Sequence, residues 1–507
     1  MVSSYYSRRS TLVGLASIVA LILVSFAFLY NRRVDDFSQP SFPYNSGHGG
    51  TDHYANTEVE SSLETDLPED TVVKPVTVTK TVIQTATGTA DASLALPTGA
   101  DLTEICASTD LKNGAARSWK FDPARDSVNY GLDDEQCNSA FPDLYHEIDR
   151  ARKWRMDEGK GNITEEDVDI GWREFGVLRV LIYDRQLFIV ESKCIEVHGG
   201  QGGVIRYDIR RAIAMLGSIH RAITAFPGKI PNIEFSMSVE DIADEENQRH
   251  TVWTMTRRDY ESYQWLVPDF GYWSWDMDML GSYQQVRQEM ADKAVPFEQK
   301  KPTALWRGAN LNKIRSDLLN VSANKPWSEV EEVHWGKPNN HFVRMADHCL
   351  HQYLIQTEGN SYSGRGKYLL NCNSVVIMHK RMWLENFEHL MIGEGPNQNV
   401  VFVRDDFADL PEVMDALLKE PTKGRKIAEN AAKTFRDRYL TPAAQACYWR
   451  RLFKTWSEIS FEPKLYDDDW KEDPETGEYK ATRRFRGVPY ETYITNAYDR
   501  YITVPTE

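Results

Sequence analysis

Residues 357–380 hold the side chains best suited to chemistry on an anion. They read TEGNSYSGRGKYLLNCNSVVIMHK. The loop at 358–366 is built of small and polar residues around one cation, Arg365. Good helix formers follow at 367–373, and the β-branched run 374–378 reads as a buried strand. Loop, helix start and strand in that order would aim main-chain N–H groups and an arginine at one place, which suits a phosphate. A solvated turn before an amphipathic helix would leave the same pattern. The loop is not a P-loop, because residues 361–368 lack the first glycine and the Ser/Thr after the lysine. It is not a hydrolase elbow either, since G-x-S-x-G is missing there.

A second turn of this kind lies upstream. Residues 303–306 lead as a strand into Arg307-Gly308-Ala309-Asn310, and 311–320 reads as a helix containing Arg315. Two such units imply a parallel α/β domain whose strand ends converge on one anion. Residues 387–391 and 400–403 continue the pattern. The acidic segment 404–410 follows, then a helix over 411–438 and a last amphipathic helix over 447–456. His348 and His351 read as helix-face residues, because no further metal-ligand set accompanies them.

The best general base in the first half is Asp241. Residues 233–239 read as a strand, and an acid just past the end of a strand in an α/β fold sits where ligands bind. A solvated loop carboxylate is the plainer explanation. Helices are expected over 140–160, 162–171 and 206–226, and strands over 177–183 and 186–190 around an Asp184-Arg185 turn. Residues 263–275 are dense in aromatic rings, which can stack on sugars but more often form a core wall. Asp276 and Asp278 form a D-x-D triplet, too short to be specific, and 467–469 is another such acidic run.

The rest of the chain frames these elements. The 507 residues call for two or three units. A net charge of −16 argues against non-specific nucleic-acid binding and makes single loop arginines more informative. Residues 11–30 carry no charge and would span about 30 Å as a helix, one bilayer core. They end without a small-x-small cleavage site, so an uncleaved anchor is expected, with a cytosolic tail at 1–10 and the remainder luminal. Residues 31–100 read as a polar stem. All six cysteines and two glycosylation sequons, at Asn162 and Asn320, lie beyond the anchor, as a luminal chain would have them. The expected domains are 101–295, acceptor-side, and 296–460, ligand-binding, with a C-terminal extension at 461–507.

The segment 344–453 resembles the capsule-associated glycosyltransferases of family 90, which include protein O-glucosyl- and xylosyltransferases. The matching pieces are WRGA (306–309), ADHC (346–349), GNSYSGRGKYLLNCNSVV (359–376), VFVRDDFADL (401–410) and IAENAAKTFRDRYL with CYW (427–449). IPNIEFSMSVED (230–241) is the best piece in the first half. The resemblance implies a GT-B fold, with two Rossmann-like domains across a cleft, and no metal or cofactor beyond a UDP-sugar donor. It implies that Arg307 and Arg365 grip the pyrophosphate, and that Ser363 and Gly364 offer donors. Asp406 would lie near the nucleotide sugar, and Asp241 would be the base of an inverting transfer to a glycan or protein hydroxyl. Such enzymes would sit in Golgi or endoplasmic reticulum membranes. Two residues depart from the family pattern: Ala309, where a serine is common, and Glu240 beside the base. They leave open a catalytically inactive glycan-binding member. A metal-dependent transferase using Asp276 and Asp278 is the other alternative. Cys349 and Cys372 flank the loop, and a disulfide between them would pin it.

Overall fold

The computed structural model describes residues 119–194, 196–197, 206–242, 250–275, 280–334 and 340–500. The apolar run 11–30, the stem, Cys106, Asp276 and Asp278 lie outside them. Among the described residues no helix is long and apolar enough to cross a membrane. The described chain forms a mixed α/β unit around two main sheets, of six and five strands, with four two-stranded ribbons besides.

After a single helical turn at Pro123–Asp126, the first half continues with helices α1 (Asp134–Ala140) and α2 (His146–Asp157). One helix is expected over 140–160, but Pro142 removes a main-chain donor between them. The helix expected over 162–171 is instead a set of turns. Asp167 accepts from the Thr164 N–H at 2.8 Å and from Arg155 at 2.9 Å, so the side chain satisfies local donors that a helix would use. Strands β1 (Val177–Tyr183) and β2 (Gln186–Ser192) pair antiparallel around Asp184 and Arg185. Both turn residues have positive φ, 47° and 63°, the tight-hairpin geometry that matches strand twist. Helix α3 (Asp208–Thr224) then leads to β3 (Ile233–Ser238), which lies antiparallel to β1. Strands β4 (Val252–Thr254) and β5 (Trp265–Leu266) extend the sheet in parallel. This sheet is therefore mixed, whereas a Rossmann-like half would be parallel. The two-residue hairpin dictates the difference, because a parallel neighbour needs a crossover.

After helix α4 (Tyr283–Asp292), the second half is a five-stranded parallel sheet. Its strands are β6 (Lys301–Gly308), β7 (Ser328–Glu332), β8 (His351–Gln356), β9 (Val375–His379) and β10 (Val401–Val403), in the order β7-β6-β8-β9-β10. Helix α5 (Lys313–Ser322) follows β6, and the one-turn helix α6 (Gly366–Leu369) precedes β9. Helices α7 (Leu410–Lys419) and α8 (Pro421–Ala431), the latter running on as a π-helical stretch over Ala432–Tyr439, replace the single helix expected over 411–438. Pro421 breaks that helix and serves as the first residue of the next. Trp306, Tyr353, Ile377 and Met414 are among the residues of one buried core between this sheet and its helices.

The last long helix, α9 (Pro442–Ser457), packs across to the first half. The Trp449 indole donates to Ser218 Oγ at 2.9 Å, Trp456 to the Glu234 carbonyl at 2.9 Å, and the Tyr448 hydroxyl to the Leu266 carbonyl at 2.8 Å. The Cys137–Cys447 disulfide fastens α9 to α1. The second disulfide joins Cys349 to Cys372.

Candidate active site

The site is built at the carboxyl ends of β6 and β8, the place where ligands bind in open parallel sheets. Trp306, near the end of β6, is fully buried. Gly308 makes room for it, since any side chain there would strike the Trp306 ring 2.7 Å away. Arg315 and Arg365 both lie over that ring, each with its guanidinium carbon 5.7 Å from the centroid. Arg315 comes from the first turn of α5, which the Asn312 side chain caps by accepting from the Arg315 N–H at 3.0 Å. Asn312 also donates to the Gly359 carbonyl at 2.6 Å, tying α5 to the glycine loop.

Neither arginine forms an ion pair with a carboxylate among the described residues. Arg315 donates to the carbonyls of Glu358 and Ala309, both at 2.8 Å. Arg365 donates through Nη1 to the Arg307 carbonyl, and its Nε is buried without a hydrogen-bond partner. Burial pushes the Arg365 guanidinium down to about 9, with Arg315 adding repulsion. Burial alone takes Arg315 down to about 10. A buried cation, Arg315, beside a half-buried one, Arg365, without an acid is costly unless an anion completes the pair. Other buried polar atoms here are also unsatisfied: Trp306 Nε1, Gln356 Oε1 and Thr357 Oγ1. Native interiors pair nearly all such atoms, so a group of orphans at strand ends points to a polar ligand.

The glycine loop is held from both sides. Lys367 donates to Asp269 Oδ2 at 2.6 Å and to the Gly364 carbonyl at 2.7 Å, and both partners of this ion pair are buried. The Tyr362 hydroxyl donates to the same carboxylate oxygen at 3.1 Å. Asp269 follows β5, so this pair fastens the loop to the first half. Gln356 Nε2 donates to the Ser363 carbonyl at 2.8 Å. The main-chain N–H groups of Ser363, Gly364 and Arg365 make no hydrogen bond among the described residues.

The other expected residues take different places. The Arg307 side chain turns to the sheet edge. Its Nη2 meets Glu331 Oε2 at 3.1 Å, its Nε donates to the His341 carbonyl at 2.9 Å, and its Nη1 donates to the carbonyls of Trp306 and Glu329. Only its carbonyl touches Arg365. Asp406 lies in the exposed turn after β10. It accepts from the Ala408 N–H at 3.1 Å and pairs with Arg404 at 3.0 Å, contacts that hold its carboxyl below the usual range. Nothing in these contacts joins it to Arg365. His351 opens β8 instead of lying on a helix. Asp241, just past β3, is 47% exposed on its side chain, open enough to receive a substrate. Its Oδ1 accepts from Arg211 Nη1 at 2.9 Å. Its partner Arg211 lies over Phe270, and the residue before Phe270, Asp269, accepts from Tyr362 of the glycine loop. Glu240 packs against Gly176, where any side chain would collide with its Cγ.

Arg315 is the residue that sequence reasoning passed over. The available signal was its place in the first turn of the helix after the Arg307 turn, where a long cation can reach back over the helix start.

A family profile described as glycosyl transferase family 90 matches residues 141–482, more than half of the chain, and the chain belongs to that family. Among curated proteins it is similar to protein O-glucosyltransferase 1 of Homo sapiens, 26% identical over 194 residues, which cover 36% of this chain and 48% of that protein. It is also similar to the O-glucosyltransferase rumi homolog of Aedes aegypti, 25% identical over 214 residues, or 38% and 52% of the two chains. The chain spans about half the length of the curated relatives it matches.

Proposed function

We propose that this protein is an inverting glycosyltransferase built on a variant of the GT-B arrangement, with a parallel second half and a mixed-sheet first half. It moves a sugar, glucose or xylose, from a UDP-sugar to a hydroxyl of a glycan or protein. The observation that carries this reading is the pair of arginines without an acid partner among the described residues, buried Arg315 and half-buried Arg365, over Trp306 at the strand ends. A pyrophosphate fits their charge and their forked donors. The open N–H groups of Ser363 and Gly364 would add donors, as the developing charge on departing UDP requires. Asp241 would take the proton from the acceptor hydroxyl as it attacks the anomeric carbon, and UDP would leave from the opposite face. The two O-glucosyltransferase relatives support the glucosyl choice, and the family supports hydroxyl acceptors. Residues 11–30 would hold the chain in a Golgi or endoplasmic reticulum membrane with this unit luminal.

A screen of UDP-sugars against the purified protein tests the reading. Release of UDP from UDP-glucose or UDP-xylose, with inversion at the anomeric carbon, is expected. Absence of transfer and hydrolysis with every UDP-sugar would sink it. Turnover is expected to persist in excess EDTA; loss restored by manganese would instead assign a metal role to Asp276 and Asp278.

A further inference from the structure

The geometry around Asp241 points to Arg211 as a positioning residue for the base. This inference rests on the transferase reading above. Arg211 projects from the first turn of α3, and its guanidinium carbon lies 4.9 Å from the Phe270 ring centroid and 5.4 Å from that of Trp275. Those two rings are themselves 4.2 Å apart, so they form one support for the planar cation. Nη1 donates both to the Val239 carbonyl, at 3.1 Å, and to Asp241 Oδ1, at 2.9 Å. The Val239 carbonyl lies two residues before Asp241 on the same chain. The guanidinium thus fixes the carboxylate relative to its own main chain. Oδ2 has no hydrogen bond among the described residues and is the oxygen left to accept a proton.

Arg211 also stands in a line of contacts that reaches the glycine loop. Phe270 beneath it follows Asp269, which holds Lys367 and Tyr362. The segment that seats Arg211 is therefore the segment that holds the loop beside Arg365. Two other charged residues lie close along the chain or beside it: Glu240 is the neighbour of Asp241, and Arg173 donates to the Ile242 carbonyl at 3.3 Å. Arg211 is the cation that touches the carboxylate, at 2.9 Å. Burial works against its charge, and Asp241, Tyr362 and Glu240 outweigh that, keeping it above the usual guanidinium range.

Steady-state kinetics on the full-length protein test the assignment, using the UDP-sugar that the wild type turns over. Arg211→Gln is expected to lower kcat about 100-fold, the scale set by a misplaced catalytic group. Its donor KM and UDP affinity by calorimetry should stay within about twofold of wild type. In an Asp241→Asn background the same substitution should cause no further loss, because its effect passes through that carboxylate. A wild-type kcat in Arg211→Gln overturns the inference. So does an equal loss in both backgrounds, which would make Arg211 a scaffold. If Arg211→Gln fails to bind UDP, Phe270→Leu decides: loosening the support should cost kcat about tenfold with donor KM unchanged, and wild-type kcat overturns the inference. A wild type without turnover on any UDP-sugar fails the transferase reading itself, and the positioning role falls with it.

Discussion

At the scale of the residue, what separates three arginines near one strand end is their partners. Arg307 has Glu331 and three carbonyls, so its charge is spent inside the protein. Arg315 and Arg365 have carbonyls only, and burial depresses both. A ligand anion would compensate the charge that both carry at neutral pH, and each charge-assisted contact contributes about 1.5–3 kcal/mol. Arg315→Ala and Arg365→Ala should each weaken UDP binding by about tenfold to a hundredfold, read by calorimetry. Arg307→Ala should leave UDP affinity within about twofold and lower the melting temperature instead. If Arg307→Ala weakened UDP as much as Arg365→Ala, the site would have to be drawn around the sheet edge.

At the scale of the element, the glycine loop is too short to hold its own shape. Helix α6 has four residues, less than an isolated helix needs by a wide margin. Its geometry comes from outside, from the Cys349–Cys372 disulfide and the Lys367–Asp269 pair. The bridge closes a separation of 23 residues, for which chain entropy gives about 3 kcal/mol. A Cys349→Ser, Cys372→Ser variant should lose stability of that order in urea unfolding and bind UDP more weakly. Unchanged UDP affinity would separate the bridge from the site. Asp269→Asn leaves Lys367 buried without its counter-charge and should cost about 3–5 kcal/mol, measured the same way. The sequence made part of this legible. The glycine loop, its following strand and the strand before Asp241 carry strong local patterns, and the structure has them. Strand β7 does not read as one, because Ser328–Glu332 contains three glutamates, tolerated at a sheet edge. Strand β8 is fully buried yet holds His351, Gln352 and Gln356; one nitrogen of each finds a partner only once the sheet exists, and Gln356 Oε1 finds none. Which way Arg307 and Arg315 turn depends on Glu331 and on Trp306. Those neighbours come from pairing and packing across the sheet, which spacing along one chain does not encode.

At the scale of the whole molecule, stability against pH combines buried groups that titrate in opposite senses. Burial, against the pull of Arg381 and with Glu385 adding repulsion, raises Glu388 to about 7. Folded protein then keeps a proton that the unfolded chain releases above its ordinary carboxylate value. This contribution is fully present below that value and is lost as pH rises through about 7, an effect of about 3 kcal/mol. His348 runs the other way. Burial and the nearby charge of Arg365 lower it to about 3, so the folded state excludes a proton that the unfolded chain takes up near neutrality. Its contribution is present above the ordinary histidine value and is lost as pH falls toward about 3. Between about pH 4.5 and 6.5 the two slopes oppose, and the wild-type melting temperature should change little from these groups. Glu388→Gln removes one slope. Its stability relative to wild type should fall progressively as pH is lowered from about 7 to about 5, with the variant losing ground by up to about 3 kcal/mol. The measurement is urea unfolding of both proteins at half-unit pH intervals. A difference that stays constant over that range would mean Glu388 is ionised in the folded protein and that Arg381 outweighs its burial.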